Sequence, residues 1–582
     1  MDGTTEQAGE RVVYRHGATH LSHLNTIFRT AFTLTPEVRV CLVGFIDDGC
    51  DLGLVYGYLR PWLPHIRTDH QFAQLPRLIQ ARRQADSELR SKAIDSNRIT
   101  TRRIPPRRIW DLYANRVLPF YAVASTSSDI AEITKTKWDL TSYTRRFTNE
   151  NDAGLSPRSI TDVPDNIWAV SHSWVAAPDR QSVLTTVNGK AWRVPIPRKT
   201  TLKDIRAELL LLGAEKVFLD VLCLRQEDEL LPESESIRKR EWRLDVPTIG
   251  HVYNDHRRSP VIVYFDGLGL PFRDSEASEN RFHWLKRTWT LQETCTYIIP
   301  AGLQNKVPAL HVTPAYHDPW ASKSFLDGLK ATLGILYTSQ WPWKRQLGKI
   351  IAEIKMRSYS NPVDQVACLA YILECPTLPI YDADMSAETA WGLLVECLPR
   401  LMRLTLLFSD FGPNAYKSCS WRPTWEQVKN CEGFQEPRGV KTHEELSFLS
   451  GSSPNLGYKH GSDIYVHRAY VIEGCHIAIP DWEKQDYAYA TIRSARGAGS
   501  NRFCISQWGT PIEPGVSYVL VGVGDLKYWV VALYKGTRII QGVKALEVAK
   551  VSTLTIPDSD ESENPNQFRR KVDGSVQLVV YC

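Results

Sequence analysis

Two short runs in this sequence are apolar on both faces, and they limit the folds open to it more than any other feature. They are KVFLDVL (216–222) and PVIVYFDG (260–267). A strand with one wet face alternates apolar and polar residues, whereas a strand packed between helices reads as a continuous apolar run. A third candidate strand, IWAVSHSW (167–174), precedes them. Helical patterns fill the gaps. TLKDIRAELLLLG (201–213) has Thr201 to cap it and Asp204 at the box position. Its stripe is Leu202, Ile205, Leu209 and Leu212, with Gly213 to end it. Trp242, Val246, Ile249 and Tyr253 recur at 4, 3, 4 spacing on another helix, with Pro247 expected in its first turn. KRTWTLQE (286–293) reads as the start of a third helix. Strand and helix alternate, which predicts an α/β fold with a parallel sheet flanked by helices.

The chain has 582 residues, too many for one core. We divide it into a poorly patterned leader (1–105), a connecting segment (106–164), the α/β domain (165–300), a mainly helical region (301–440) and a β-rich C-terminal region (441–582). In the leader, VRVCLVGFI (38–46) reads as a strand and 72–94 as a charged helix. Pro105-Pro106 interrupts regular structure ahead of Trp110. In the helical region, Asn361-Pro362 opens one helix through VDQVACLAYIL, and Ser386 opens another, SAETAWGLLVECLPRLMRLTLLF. DIYVHRAYVIEG, SYVLVGVG, YWVVALY and SVQLVVYC then read as strands, with Gly524-Asp525 as a hairpin turn. The acidic stretch PDSDESENPN (557–566) reads as a loop.

Charge and cysteine usage narrow the function classes. The net charge is +5, small for the length. Ten Lys/Arg between Arg77 and Arg108 stand against Asp86, Glu88 and Asp95. No aromatic is interleaved there, so the run reads as a solvated helix and linker, not a phosphate track, and no nucleic-acid partner is expected. None of the twelve cysteines has C-x-x-C spacing, so neither a zinc knuckle nor a redox pair is indicated. His16, His20 and His23 lack an acid or thiol to complete a metal site, and no metal is expected. The N-terminus has no apolar signal core, and no run of eighteen apolar residues occurs. These features predict a soluble, reduced, cytoplasmic chain with no membrane partner.

Ligands in an open parallel sheet bind beyond the carboxyl ends of its strands. That rule selects Ser171, His172 and Ser173 from the first strand, Asp220, Cys223 and Gln226 from the second, Asp266 from the third, and Glu293 from the following helix. In a regular helix Trp289 and Glu293 share a face, and the ring would desolvate the carboxyl and raise its pKa. Alternatively Glu293 faces water and Trp289 alone is core. Asp220, in an otherwise apolar strand, either serves the site or ties down loop 223–229 through backbone N–H groups. Cys223 reads as a buried structural thiol.

Four segments in order resemble the motifs of the fungal heterokaryon incompatibility (HET) domain: IWAVSHSW, KVFLDVLCLRQEDE, DVPTIGHVYNDHRRSPVIVYFDG and WLKRTWTLQE, across residues 167–295. PPRRIWDLYANRV and NPVDQVACLAYIL also look like segments that accompany some fungal members. The sequence departs from the pattern at Val175, where a glycine usually follows the first motif's tryptophan, and at His172, where tyrosine or another residue is common. HET domains in turn resemble Toll/interleukin-receptor (TIR) domains, whose enzymatic members hydrolyse NAD with a glutamate in a Trp-x-x-x-Glu setting. Trp289-Thr-Leu-Gln-Glu293 has that spacing.

The resemblance implies a TIR-like sheet and a role in non-self recognition and cell death. It implies NAD as substrate, with no bound cofactor. Glu293 would be catalytic and Asp220 supporting, while Ser171, Ser173, Trp289, Gln226 and Asp266 would bind substrate. It leaves open a non-enzymatic module that self-associates through the α/β core and meets a protein partner through its C-terminal regions. It also leaves open a fold retained after loss of activity.

Overall fold

The computed structural model describes residues 51–66, 68–124, 163–164, 166–228, 230, 232–254, 260–273, 282–293, 298–302, 347–409, 421–431, 465–478, 488–494, 500–505, 512–513, 515–522, 528–540, 542–555 and 575–581. The chain forms two compact units. The first takes residues up to Leu333 together with Ser358–Ser360 and Thr377–Ala383, and the second takes the remainder. The readings at 38–46, at the three N-terminal histidines, at Gly524-Asp525 and at 557–566 fall outside the described residues.

In the first unit, helices α1 (Leu52–Leu59) and α2 (Asp69–Lys92) precede a six-stranded sheet. Thr68 caps α2 in a reciprocal capping box with Gln71. Strands β1 (Arg108–Asp111) and β2 (Arg116–Pro119) form a hairpin, and β3 (Ile167–His172) follows. Helix α3 (Leu202–Leu211) leads to β4 (Lys216–Leu219) and the single turn α4 (Asp220–Cys223). Helices α5 (Pro232–Thr248) and α6 (Gly250–Asn254) lead to β5 (Val261–Tyr264), and α7 (Trp289–Gln292) to β6 (Ile298–Pro300).

The order across the sheet is β6-β5-β3-β4-β1-β2. β6, β5, β3 and β4 are mutually parallel, and β1 joins β4 antiparallel. The unit is therefore α/β with a mixed sheet. The hairpin lies in the stretch read from the sequence as a connecting segment, and its first strand joins the sheet only through β4, distant in the chain. Its turn is held by Asp111, whose Oδ1 accepts the Ala114 N–H (2.9 Å), with Asn115 at φ +52°.

Successive parallel strands step from β3 to β4 on one side and then cross to β5 and β6 on the other, so the winding reverses between β3 and β5. Right-handed crossovers require helices on opposite faces for opposite steps, and the contacts agree. Tyr264 pairs with His172 and donates its hydroxyl to Glu208 Oε2 of α3 (2.8 Å). Phe218, paired with Ala169 and so on the other face, meets Tyr253 of α6 edge-on at 6.2 Å.

Helix α3 matches its sequence pattern closely. Thr201 Oγ accepts the Asp204 N–H (3.1 Å), Ile205 and Leu209 are buried, and Gly213 ends the helix at φ +96°. Pro247 differs from expectation: it lies in the last turn of α5, not the first. It can supply no N–H to the Arg243 carbonyl one turn back, and that carbonyl accepts the Tyr381 N–H instead (3.2 Å). Part of the basic run forms ion pairs instead of remaining solvated. Arg90 and Arg107 bond Asp245, and Arg108 bonds Glu241 in a forked pair at 2.6 and 3.0 Å.

In the second unit the Ser386 helix breaks at Pro399. It becomes α8 (Ala387–Cys397) and α9 (Arg400–Phe408), since proline cannot continue a helix begun before it. The stretch after Asn361-Pro362 likewise divides, into Asp364–Ala367 and Leu369–Ile372, with Asn361 Oδ1 accepting the Val363 N–H (2.9 Å). The β-rich part comprises β7 (Tyr465–Ala478), β8 (Ala488–Ser494), β9 (Ser500–Ile505), β10 (Ser517–Gly522), β11 (Tyr528–Ile540), β12 (Val543–Thr555) and β13 (Ser575–Tyr581). β7, β10, β11, β12 and β13 pair in a closed ring. A ring of five cannot be antiparallel throughout, and the odd pair is β12 with β13, which run parallel. Closure removes free sheet edges. Inside lie Ile472, Leu520, Trp529, Val531 and Leu554. Among the described residues no helix is long and apolar enough to cross a membrane.

Candidate functional site

The site is built where the winding reverses. Strand β3 presents Ser171 and His172 at its carboxyl end. Successive strand residues point to opposite faces, so these two neighbours serve different partners. Ser171 is fully buried, and its hydroxyl donates to Glu293 Oε2 at 2.5 Å while accepting the Trp284 indole N–H at 2.7 Å. His172 is 7% exposed and lies 2.8 Å from Asp220 Oδ1 through Nε2 and 3.0 Å from the Ser173 carbonyl through Nδ1. Both neighbours of the imidazole are acceptors, so both contacts are satisfied only when both ring nitrogens carry hydrogen.

Asp220 is not inside a strand. β4 stops at Leu219, and Asp220 opens the turn α4, where its Oδ1 also accepts the Val221 N–H (2.7 Å). This position relieves what a carboxylate within an apolar strand would cost. Its side chain keeps 26% of its surface. Loop 223–229 is held by another residue: Gln226 Nε2 donates to the Asp220 and Leu224 carbonyls (3.2 and 2.9 Å). Trp192 and Trp242 add indole N–H bonds to the Val221 and Arg225 carbonyls (3.1 and 2.7 Å).

Glu293 caps the carboxyl end of α7, which is one turn long. The expected longer helix does not form because its hydroxyl-bearing residues bond the backbone. Thr290 donates to the Trp284 carbonyl (2.6 Å), and Thr288 gives its N–H and its hydroxyl to the Ser358 carbonyl. The tryptophan in the acid's hydrogen-bond chain is thus Trp284. Trp289 turns to Tyr381, with ring centres 6.1 Å apart.

Electrostatics separate the two acids. Burial pushes the Glu293 carboxyl up, the Ser171 hydrogen bond opposes it, nearby Asp220 adds to the rise, and His172 and Arg287 oppose it. The result is about 7. Asp220 is also raised by burial, but the charge and hydrogen bond of His172, the Val221 N–H and Trp174 outweigh that and hold it below the ordinary carboxylate value. Burial pulls His172 down, yet Asp220 and the Ser173 carbonyl carry it above its ordinary value. One acid is ionised and paired, and the other is poised near neutrality, the divergence expected of groups with different roles.

Ser171, His172, Asp220 and Glu293 are therefore brought together, with Trp284 as the member that the strand-end rule and the Trp-x-x-x-Glu spacing passed over. Trp284 could have been found from its place at the head of WLKRTWTLQE. Ser173 is 2% exposed, its N–H donates to the Tyr264 carbonyl (3.1 Å), and its hydroxyl has no partner among the described residues. Gln226 is occupied by its own loop. Asp266 lies beyond the end of β5 and accepts the Arg273 N–H (2.7 Å). Burial pushes the Cys223 thiol up to about 12, which makes it a packing group. Among the described residues no cluster of His, Cys, Asp and Glu could hold a metal ion. No family model matches the chain, and neither a curated protein nor a solved structure matches it.

Proposed function

We propose that residues 165–300 are a HET-type domain with a TIR-like core, and that Glu293 cleaves the N-glycosidic bond of NAD in a cell-death response to non-self. The observation that carries this reading is the Ser171–Glu293 contact of 2.5 Å at the sheet's winding reversal, with Asp220 close enough to raise the Glu293 carboxyl. The four ordered motifs and the strand order support the family reading.

In the proposed reaction the bond between ribose C1′ and the pyridinium nitrogen breaks, and its electron pair leaves with nicotinamide. That product departs neutral and needs no proton. The Glu293 carboxylate offsets the positive charge that develops on the ribosyl group. Water then adds to C1′ and gives up a proton. With its pKa near 7, Glu293 is ionised in a large fraction of molecules at neutral pH. Asp220, held ionised by His172, adds negative potential to the same region.

A second reading has its own observation. Val175 occupies the space over Gly267: a methyl at Gly267 would come within 2.7 Å of Val175 Cγ1. That packing closes the backbone approach that the usual glycine would leave open, and it favours a non-enzymatic, self-associating module on the same fold. Incubating concentrated protein with NAD and following nicotinamide release separates the two. Release that vanishes in Glu293→Gln supports cleavage. Release that persists unchanged in that variant removes Glu293 from the mechanism, and no release from the wild type leaves the binding module.

A further inference from the structure

The hydrogen bonds around Ser171 have a direction. An indole N–H can only donate, so Trp284 Nε1 obliges Ser171 Oγ to accept at 2.7 Å. The hydroxyl's other neighbour among the described residues is Glu293 Oε2 at 2.5 Å, within the range of a charge-assisted O–H···O⁻ bond. A hydroxyl that already accepts one hydrogen bond donates its own proton more strongly. Trp284 and Ser171 are fully buried, so water does not compete for either group. Trp284 is itself fixed edge-on to Phe265 at 5.6 Å, and its carbonyl accepts from Thr290. Glu293 Oε1 takes no hydrogen bond among the described residues.

We propose that Trp284 is the positioning residue of this site. Through Ser171 it forms a one-way relay that fixes one oxygen of Glu293 and leaves Oε1 directed to a hydrogen-bond donor on a ligand. The relay favours the carboxylate over the acid, because the Ser171 hydroxyl binds an ionised oxygen more strongly than the neutral carbonyl oxygen of the protonated form. It acts alongside the other groups that bear on Glu293. Asp220 opposes ionisation, His172 and Arg287 favour it, and buried Tyr253 lies near enough to feel the carboxylate. The relay rests on Glu293 being the acid of the proposed site, but its test does not need turnover.

The test is carbodiimide labelling of Glu293 across pH in the full chain, with the modified peptide counted by mass spectrometry. Only the protonated carboxyl reacts, so the midpoint reports its titration. The wild-type midpoint is expected near 7. Ser171→Ala and Trp284→Phe should each raise it by about half a unit or more, as loss of a donor and of its polarising partner requires. Ser171→Thr keeps the hydroxyl and should restore the wild-type midpoint. An unmoved midpoint in folded Trp284→Phe overturns the relay. If Trp284→Phe fails to fold, equal midpoints in the Ala and Thr variants of Ser171 overturn it instead. These results stand whether or not NAD is cleaved, so failure of the relay and failure of the activity are read separately.

Discussion

Ser171 and Glu293 lie 122 positions apart in sequence and meet at 2.5 Å, the hydroxyl donating to the carboxylate. The contact joins the end of the first parallel strand to the turn after the third, and it holds an acid where folding disfavours its charge. Glu293 rises from 4.5 to about 7. A carboxyl whose folded pKa lies above its unfolded value binds more protons in the native state, so it costs stability as pH rises through that window. The cost is on the order of 2 to 3 kcal/mol once its partial exposure is discounted. Glu293→Gln should therefore match the wild type near pH 4 and exceed it in Tm at pH 8. The same substitution should reduce nicotinamide release about 10²- to 10³-fold, the usual cost of removing one charge-stabilising group. Thermal melts at both pH values, beside the NAD assay, check the two halves.

The His172–Asp220 pair should behave in the opposite sense. Asp220 is held below its ordinary value, so its contribution is present above 3.8 and fades as pH falls through the lowered pKa. His172 is raised above 6.5, so its contribution is full below 6.5 and fades as pH rises through the raised pKa. The pair is strongest between those limits. His172→Leu should cost about 1.5–3 kcal/mol there, the range for a charged hydrogen bond, and progressively less outside. Adding Asp220→Asn should recover part of the loss, because the variant acid no longer has an unpaired charge. Urea denaturation of the single and double variants at pH 5.5 and pH 9 checks the sign.

How far the sequence led can be judged from the same residues. The strands were legible because burial on both faces leaves an unbroken apolar run, and Thr201, Asp204 and Gly213 marked the ends of α3 through local capping rules. The convergence of Ser171, Asp220 and Glu293 followed from one topological rule applied to strand ends. What escaped depends on contacts distant in the chain. Trp289 has the right spacing to flank Glu293, yet Thr288 and Thr290 shorten the helix and Trp284 takes the place beside Ser171. The hairpin at Arg108–Pro119 was missed because it completes its pairing only against β4, a hundred residues later. Pro247 looked like a helix start because no local signal reveals that Tyr381 uses the carbonyl it frees.

That proline gives a further test. Removing proline from a helix interior ordinarily gains about 3 kcal/mol. In Pro247→Ala the new N–H would claim the Arg243 carbonyl, which the Tyr381 N–H now uses. Tyr381 also packs against Trp242 and Trp289, so its displacement loosens both rings. The gain and the loss should nearly cancel, leaving a net change within about 1 kcal/mol. Equilibrium unfolding measures the sum. Hydrogen exchange at Tyr381 should rise in the variant even where the unfolding free energy does not move.

In the second unit, Lys550 is 3% exposed and places its ammonium at the carboxyl end of α9, donating to the Leu407 carbonyl and to the Ser409 carbonyl at 2.9 Å. Helix ends leave carbonyls unsatisfied, and a cation there also meets the negative end of the helix dipole. Lys550→Met keeps the length and the apolar stem but supplies no donor. Two carbonyls would then be left to find water at a site the lysine now fills. The expected loss is about 2–3 kcal/mol, the scale for unmaking charge-assisted hydrogen bonds in a buried setting. Since Lys550 belongs to β12, one strand of the closed ring, the substitution separates two effects by location. Exchange protection should fall over Arg400–Phe408, while the β11–β12 ladder stays protected. Equal loss over both elements would mean that the ammonium supports the ring itself and not the helix end.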